Sequence, residues 1–271
     1  MFRTARRMFA AVAASTLVLI GSIGGAEAAN AYAPVWAYHL VSTPGAKQLW
    51  ILLHDDGANA AKFCADTNAV AFAAAAKANV VCVTSPGNVY TGKADDLAQV
   101  RRITINVQAA TKVSKLHTYL VGFGSGTALA YRSACLEAPL YGGFAAFNGQ
   151  WPVKDATGAT PTWVKNCHPT AHRPFLSVYG KGDSVLTNAA ANLAGWKSFT
   201  SKSLGLTTSV KTRASGIADV ACHAVATKNS SVYCTWSGGR VFPILANAAG
   251  TSTPIATFDG LTLAAKFITK G

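Results

Sequence analysis

The run Leu116-His117-Thr118-Tyr119-Leu120-Val121 passes into Gly122-Phe123-Gly124-Ser125-Gly126 and then the apolar Ala128-Leu129-Ala130. A β-branched and aromatic run, a glycine-rich break and a helix-forming run read as strand, sharp turn, helix. That is the context of a nucleophile elbow. Its central serine is lifted above the sheet edge on a strained turn, and the next backbone N–H helps to hold the oxyanion. The chemistry served is acyl transfer: the hydroxyl attacks a carbonyl, a histidine takes its proton and a carboxylate orients the histidine. With Gly122 and Gly126 as the flanking glycines, the central residue is Gly124, and Ser125 comes one place late. The turn is therefore expected to lack its nucleophile, unless it shifts by one residue and Ser125 takes the central place.

An elbow needs a sheet beneath it. Short apolar, β-branched or aromatic runs recur at 36–41, 49–53, 80–83, 117–121, 144–147, 175–179, 207–211 and 232–236, and these are predicted strands. Helical patterns lie between them: an alanine-rich one over 60–77, and one over 95–112 that sets Leu97, Val100, Ile103 and Val107 on one face. A closing helix is predicted from about Thr257 to Ile268. Strands alternating with helices predict an α/β protein with a mainly parallel central sheet and helices on both faces. The first two strands, joined by Thr43-Pro44-Gly45, are expected to pair as an antiparallel hairpin. The stretch from Trp151 to Pro174 is the longest irregular one. It reads either as a lid or binding segment or as a disulfide-pinned surface loop. Its Trp151 and Trp163 read as cover for the core, with ligand stacking as the alternative.

Beyond the turn, the order of several segments resembles the secreted esterases of the extracellular poly(3-hydroxybutyrate) depolymerase and feruloyl esterase type. Leu52-Leu53-His54, followed by Asn59-Ala60-Ala61 and Phe63, is similar to that family's strand-end His-Gly segment and the helix after it. Asp95-Asp96-Leu97 resembles the start of the helix before the elbow, and Tyr119 to Gly126 the elbow. Tyr179-Gly180-Lys181-Gly182-Asp183, with Asn192-Leu193 and Trp196 downstream, is similar to the strand end that carries the triad acid. The resemblance spans roughly residues 47–268. It implies an α/β-hydrolase fold, a triad acid at Asp183, and His54, Asp55 and Ser125 lining the oxyanion side of the pocket.

In that family the catalytic histidine follows two glycines and precedes an aromatic and a proline. The matching segment here is Ser237-Gly238-Gly239-Arg240-Val241-Phe242-Pro243, so Arg240 stands where the resemblance places the histidine. A guanidinium stays protonated at neutral pH and cannot act as the general base. The glycine expected after His54 is Asp55, whose carboxylate would oppose the charge that an oxyanion hole stabilises. Asp183 is expected to pair with Arg240 through a charge-assisted, bidentate contact. Two readings follow. The first is an esterase descendant with impaired hydrolysis that binds an ester-containing polymer, a small ester or an envelope ligand through the old pocket. The second is a weak carboxylic ester hydrolase using Ser125, with His223 as first candidate for its base among His39, His54, His117, His168, His172 and His223.

The bulk properties bound these readings. Arg3, Arg6 and Arg7 precede an apolar run of about 16 residues and then Ala26-Glu27-Ala28, which fits a signal peptide cleaved after Ala28. The run is short of the roughly 20 residues that span a bilayer. Residues 29–271 are then expected as one domain, secreted or periplasmic and without an integral span. All six cysteines lie in that part, and an even number in an oxidising compartment predicts disulfides. Cys222–Cys234 is the favoured pair, since these residues flank a short polar segment that reads as a hairpin. Loss of the leader lowers the formal charge from +13 to +11, because three arginines and one glutamate leave with it. Charged residues make up only 13% of the chain and form no basic arm or stripe, which argues against nucleic acid and leaves a general attraction to acidic envelope surfaces. No C-x-x-C occurs, and Pro169 interrupts the His168/His172 spacing, so no metal or other cofactor is expected.

Overall fold

Four strands are apolar and buried along nearly their whole length: β2 (Gln48–Leu53), β3 (Ala78–Val83), β4 (Thr118–Phe123) and β5 (Gly143–Phe147). Strands of this kind belong inside a parallel sheet with both faces covered. The computed structural model describes residues 36–149, 151–152, 159–206, 209–225, 231–244 and 256–269. The expected leader and its cleavage site lie outside the described residues. Around the four strands, β1 (Tyr38–Val41), β6 (Phe175–Gly182), β7 (Val210–Ala214), β8 (Ala221–Val225) and β9 (Ser231–Gly239) complete a nine-stranded sheet in the order β1-β3-β2-β4-β5-β6-β9-β8-β7. The pairings from β3 through β9 are parallel, while β1, β8 and β7 join antiparallel.

The expected hairpin of the first two strands does not form. β1 pairs with β3, while β2 is taken on its two edges by β3 and β4. The side chains account for this: β2 is apolar and buried from Leu49 to Leu53 and gains most from the centre, whereas β1 carries the exposed Tyr38 and suits an edge. The predicted strand at 207–211 lies partly outside the described residues, and β7 starts at Val210. β8 is not among the predicted strands, but its antiparallel pairing with β9 matches the hairpin expected around Cys222 and Cys234. It is short and is fastened by the Cys222–Cys234 disulfide, whose cysteines stand opposite each other in the β8/β9 register.

Alternate residues of the central strands feed the two large cores, and a smaller cluster gathers Tyr179, Trp196, Val225 and Tyr233. Trp50, Leu52 and Val121 face the side covered by α1 (Ala60–Asp66), α2 (Ala69–Ala76) and α7 (Gly260–Ile268). Leu49, Ile51, Leu53 and Leu120 face α3 (Ala94–Thr111) and α4 (Gly126–Leu136). The single helix predicted over 60–77 is two, because Asn68 adopts a left-handed conformation (φ 56°) between them, a position asparagine tolerates better than most residues. The last helix begins at Gly260 rather than Thr257, since the Asp259 carboxylate caps it by accepting from the Thr262 amide.

All six cysteines are paired: Cys64–Cys82, Cys135–Cys167 and the expected Cys222–Cys234. The second bridge pins the 151–174 segment, part of which, 153–158, lies outside the described residues. Trp151 is 2% exposed and packs on Tyr131 and Phe199. It covers the core, and Trp163, in the short helix α5 (Thr162–Lys165), meets it edge-on. A further helix, α6 (Ala189–Ser198), follows β6.

Candidate functional site

β4 ends at Phe123, and the chain turns at Gly124 with φ +53° before α4 begins. The two flanking glycines are required by close approach. A Cβ on Gly122 would stand 2.5 Å from the Gly126 carbonyl oxygen, and one on Gly126 would stand 2.6 Å from that of Leu53. The Gly124 amide donates to the Phe147 carbonyl at 3.0 Å, and its own carbonyl accepts from the Thr127 hydroxyl at 2.6 Å. Ser125 has ordinary helical dihedrals (φ −64°, ψ −31°). The apex of the turn is thus Gly124, and the one-residue shift that would bring Ser125 there does not occur.

The space above Gly124 is filled by Asp55, from the loop after β2. A Cβ on Gly124 would lie 1.9 Å from Asp55 Oδ1. That oxygen accepts the Ser125 backbone N–H at 2.8 Å. Arg240, just beyond β9, closes on the same carboxylate from the other side: Nη2 donates to Oδ1 and Nε to Oδ2, each at 2.9 Å. This is a fork-to-fork pair of charge-assisted bonds. The two side chains are only 23% and 18% exposed, so water screens the pair less than it would a surface one. The amide at the start of α4 adds the positive end of the helix dipole.

Asp183 forms the third corner. Its Oδ1 accepts the Val185 and Leu186 amides at 2.8 and 2.9 Å, which locks the side chain in a turn. Its Oδ2 is buried without a hydrogen bond and stands 3.9 Å from Arg240 Nη1. The expected bidentate Asp183–Arg240 pair is therefore replaced. The guanidinium fork belongs to Asp55, which presents both oxygens in its plane, while Asp183 has spent one oxygen on its own turn.

Arg240 is held in place by Asn148, which the sequence did not single out, and by Phe242, the aromatic of its motif. Asn148, at the end of β5 with φ 51°, donates through Nδ2 to the carbonyls of Gly239 and Val241, on either side of Arg240, and accepts the Gly180 amide through Oδ1. Phe242 is buried among Phe63, Phe123 and Phe147. The available signal for Asn148 was positional: an asparagine directly after an apolar strand.

His54 does not reach into the site as a pocket residue. Its ring is fully buried between Tyr90 and Phe63, and its Nδ1–H donates to the Asp55 carbonyl at 2.6 Å. Burial lowers its pKa against the pull of the neighbouring aspartates. Its carbonyl accepts the Gly126 amide, so His54 positions the loop that carries Asp55. The Ser125 hydroxyl is buried and has no hydrogen-bond partner. His223 is opposite Tyr233 in the sheet, and six residues of strand separate that level from Gly239, roughly 20 Å. His117 precedes β4, at the end of the sheet away from the turn, and bonds Ser114. His39 lies on β1, at the sheet edge. His168 and His172 are exposed on the pinned segment. Among the described residues no group of three metal-ligating side chains comes together.

No protein-family model matches the chain, and no curated protein matches it in sequence. Solved structures do match in shape. An acetyl xylan esterase from Aspergillus awamori aligns with a TM-score of 0.59 at 11% identity, over 76% of this chain and 89% of that one. A poly(3-hydroxybutyrate) depolymerase from Bordetella parapertussis aligns with a TM-score of 0.44 at 17% identity, over 58% and 64%. A carboxylesterase from Bacillus cereus aligns with 0.44 at 13% identity, over 59% and 76%. With its mostly parallel sheet and helices on both faces, the chain has the α/β-hydrolase fold of esterases.

Proposed function

We propose that this chain is an exported relative of the poly(3-hydroxybutyrate) depolymerase and feruloyl esterase type that does not hydrolyse esters through a serine triad. Its role is to hold a ligand at the old catalytic centre. In this reading Gly124 takes the nucleophile's place, the Ser125 amide is the oxyanion donor, and Arg240 stands for the histidine. The observation that carries it is the Asp55 carboxylate. It fills the volume in which a serine side chain at 124 would begin, and it already engages the amide that would receive the oxyanion. A substrate carbonyl finds no nucleophile, no base and an occupied donor. Export is supported by the Arg-rich, apolar N-terminal pattern ending at Ala28 and by the pairing of all six cysteines.

The test is labelling with a fluorophosphonate probe together with turnover of short-chain nitrophenyl esters. The wild-type chain should give neither. The triple variant Asp55→Gly, Gly124→Ser, Arg240→His should gain labelling, because it clears the volume and restores nucleophile and base together. Labelling of the wild type that Ser125→Ala abolishes would instead establish the weak hydrolase that uses Ser125.

A further inference from the structure

We infer that the Ser125 amide and the Arg240 guanidinium form a carboxylate-binding site that Asp55 keeps closed from within. The inference rests on the non-hydrolytic reading above and names the ligand class of that centre. Three N–H donors, from Ser125 N, Arg240 Nε and Arg240 Nη2, converge on one carboxylate at 2.8 to 2.9 Å. They sit at the N-terminus of the 11-residue helix α4, where an anion is further favoured. A neutral ester carries no charge to set against an arginine that is always protonated. A carboxylate of similar size reproduces each contact that Asp55 makes.

Two features make Asp55 an exchangeable ligand. It belongs to the short loop between β2 and α1, whose backbone is held without the carboxylate, by the His54 ring on the Asp55 carbonyl and by the Gly57 amide on that of Asn88, so the side chain can rotate away without disturbing a strand. Arg240 has a support that does not depend on it. The buried Asp183 Oδ2, without any hydrogen bond, faces Arg240 Nη1 at 3.9 Å, and Asn148 clamps the backbone on both sides. The donor set therefore stays in place when Asp55 withdraws. Because a tethered group competes at an effective concentration of millimolar order or above, free carboxylates bind the wild type weakly, and removing Asp55 unmasks the site.

The experiment uses acetate as probe, with sodium chloride at matched ionic strength as control. Melting temperature is followed for the full chain, for Asp55→Ala and for Asp55→Ala/Arg240→Gln. Asp55→Ala should show a saturable, acetate-specific rise, with a midpoint at least tenfold lower in acetate than the wild type requires, and the double variant should show none. In the wild type, acetate should move the Ser125 amide resonance away from its Asp55-bound position. That measurement stands even if the alanine variant fails to fold. An acetate response in Asp55→Ala no larger than that to chloride, or equal in the double variant, overturns the inference, as does a Ser125 amide that stays fixed in saturating acetate. Fluorophosphonate labelling of the same samples separates the two claims. Labelled wild type sinks the non-hydrolytic reading, whereas unlabelled protein without an acetate response sinks only the closed site.

Discussion

Asp55 and Gly124 exclude each other's alternatives. A side chain at 124 must enter a left-handed backbone position at φ +53° and begin 1.9 Å from the Asp55 carboxylate. Either condition disfavours any residue but glycine. Gly124→Ser alone should lower stability by about 1–3 kcal/mol in urea denaturation, and much of that loss should vanish in an Asp55→Gly background. Equal losses in the two backgrounds would show that the positions are independent. Placing serine at 124 and histidine at 240 without clearing residue 55 should therefore leave the turn strained. Arg240→Ala leaves Asp55 half-buried with one remaining donor. The expected cost is about 1–2 kcal/mol, below that of a fully buried charge because both groups keep some solvent. The odd residues at 124, 55 and 240 were legible in the sequence one by one, from glycine spacing and block order. Their contact was not, since Asp55 and Arg240 lie 185 residues apart.

The turn after β9 is held by Asn148, directly after β5, whose Nδ2 donates to the carbonyls on both sides of Arg240, and by the aromatic cluster that takes Phe242. Asn148→Ala should therefore weaken the Asp55–Arg240 pair without touching it, read as faster exchange of the Ser125 amide and a loss of about 1–3 kcal/mol. Helix α4 carries a second consequence at its other end. Its C-cap Glu137 is buried, and burial pushes its pKa up to about 7, outweighing the attraction of Arg101 and Arg132. A carboxyl that holds its proton more tightly when folded stabilises the fold below its unfolded pKa near about 4.3. That contribution is lost as pH rises through about 7. The wild type should thus lose more melting temperature between pH 4.5 and 8 than Glu137→Gln does, and parallel curves would remove Glu137 as the cause.

Across the whole molecule, the disulfides close loops of different length. Cys135–Cys167 closes 32 residues of sequence and Cys222–Cys234 closes 12. In the chain-entropy view the longer loop is the more costly to release, by about 1 kcal/mol. Replacing Cys135 and Cys167 by alanine should accordingly lower the urea midpoint more than replacing Cys222 and Cys234; the reverse order would point to native-state packing of β8 as the larger effect. The sheet places its chemistry at one end: β2, β4, β5, β6 and β9 run parallel. Their C-terminal ends therefore bring Asp55, Gly124, Asn148, Asp183 and Arg240 to the same edge.

Local pattern was sufficient for the strands of the sheet centre, the long helix α3 and the strand-turn-helix at Gly124. Each depends on residue type and spacing. The pairing of β1 with β3 needed the competition of three strands for two edges, which no single run of residues contains. The same holds for the site. A carboxylate after His54 reads as an intruder among oxyanion donors until folding sets it between the Ser125 amide and the Arg240 fork. There it is an internal ligand, because hydrogen-bond geometry across distant segments, rather than charge alone, determines whether a buried carboxylate opposes its surroundings or is held by them.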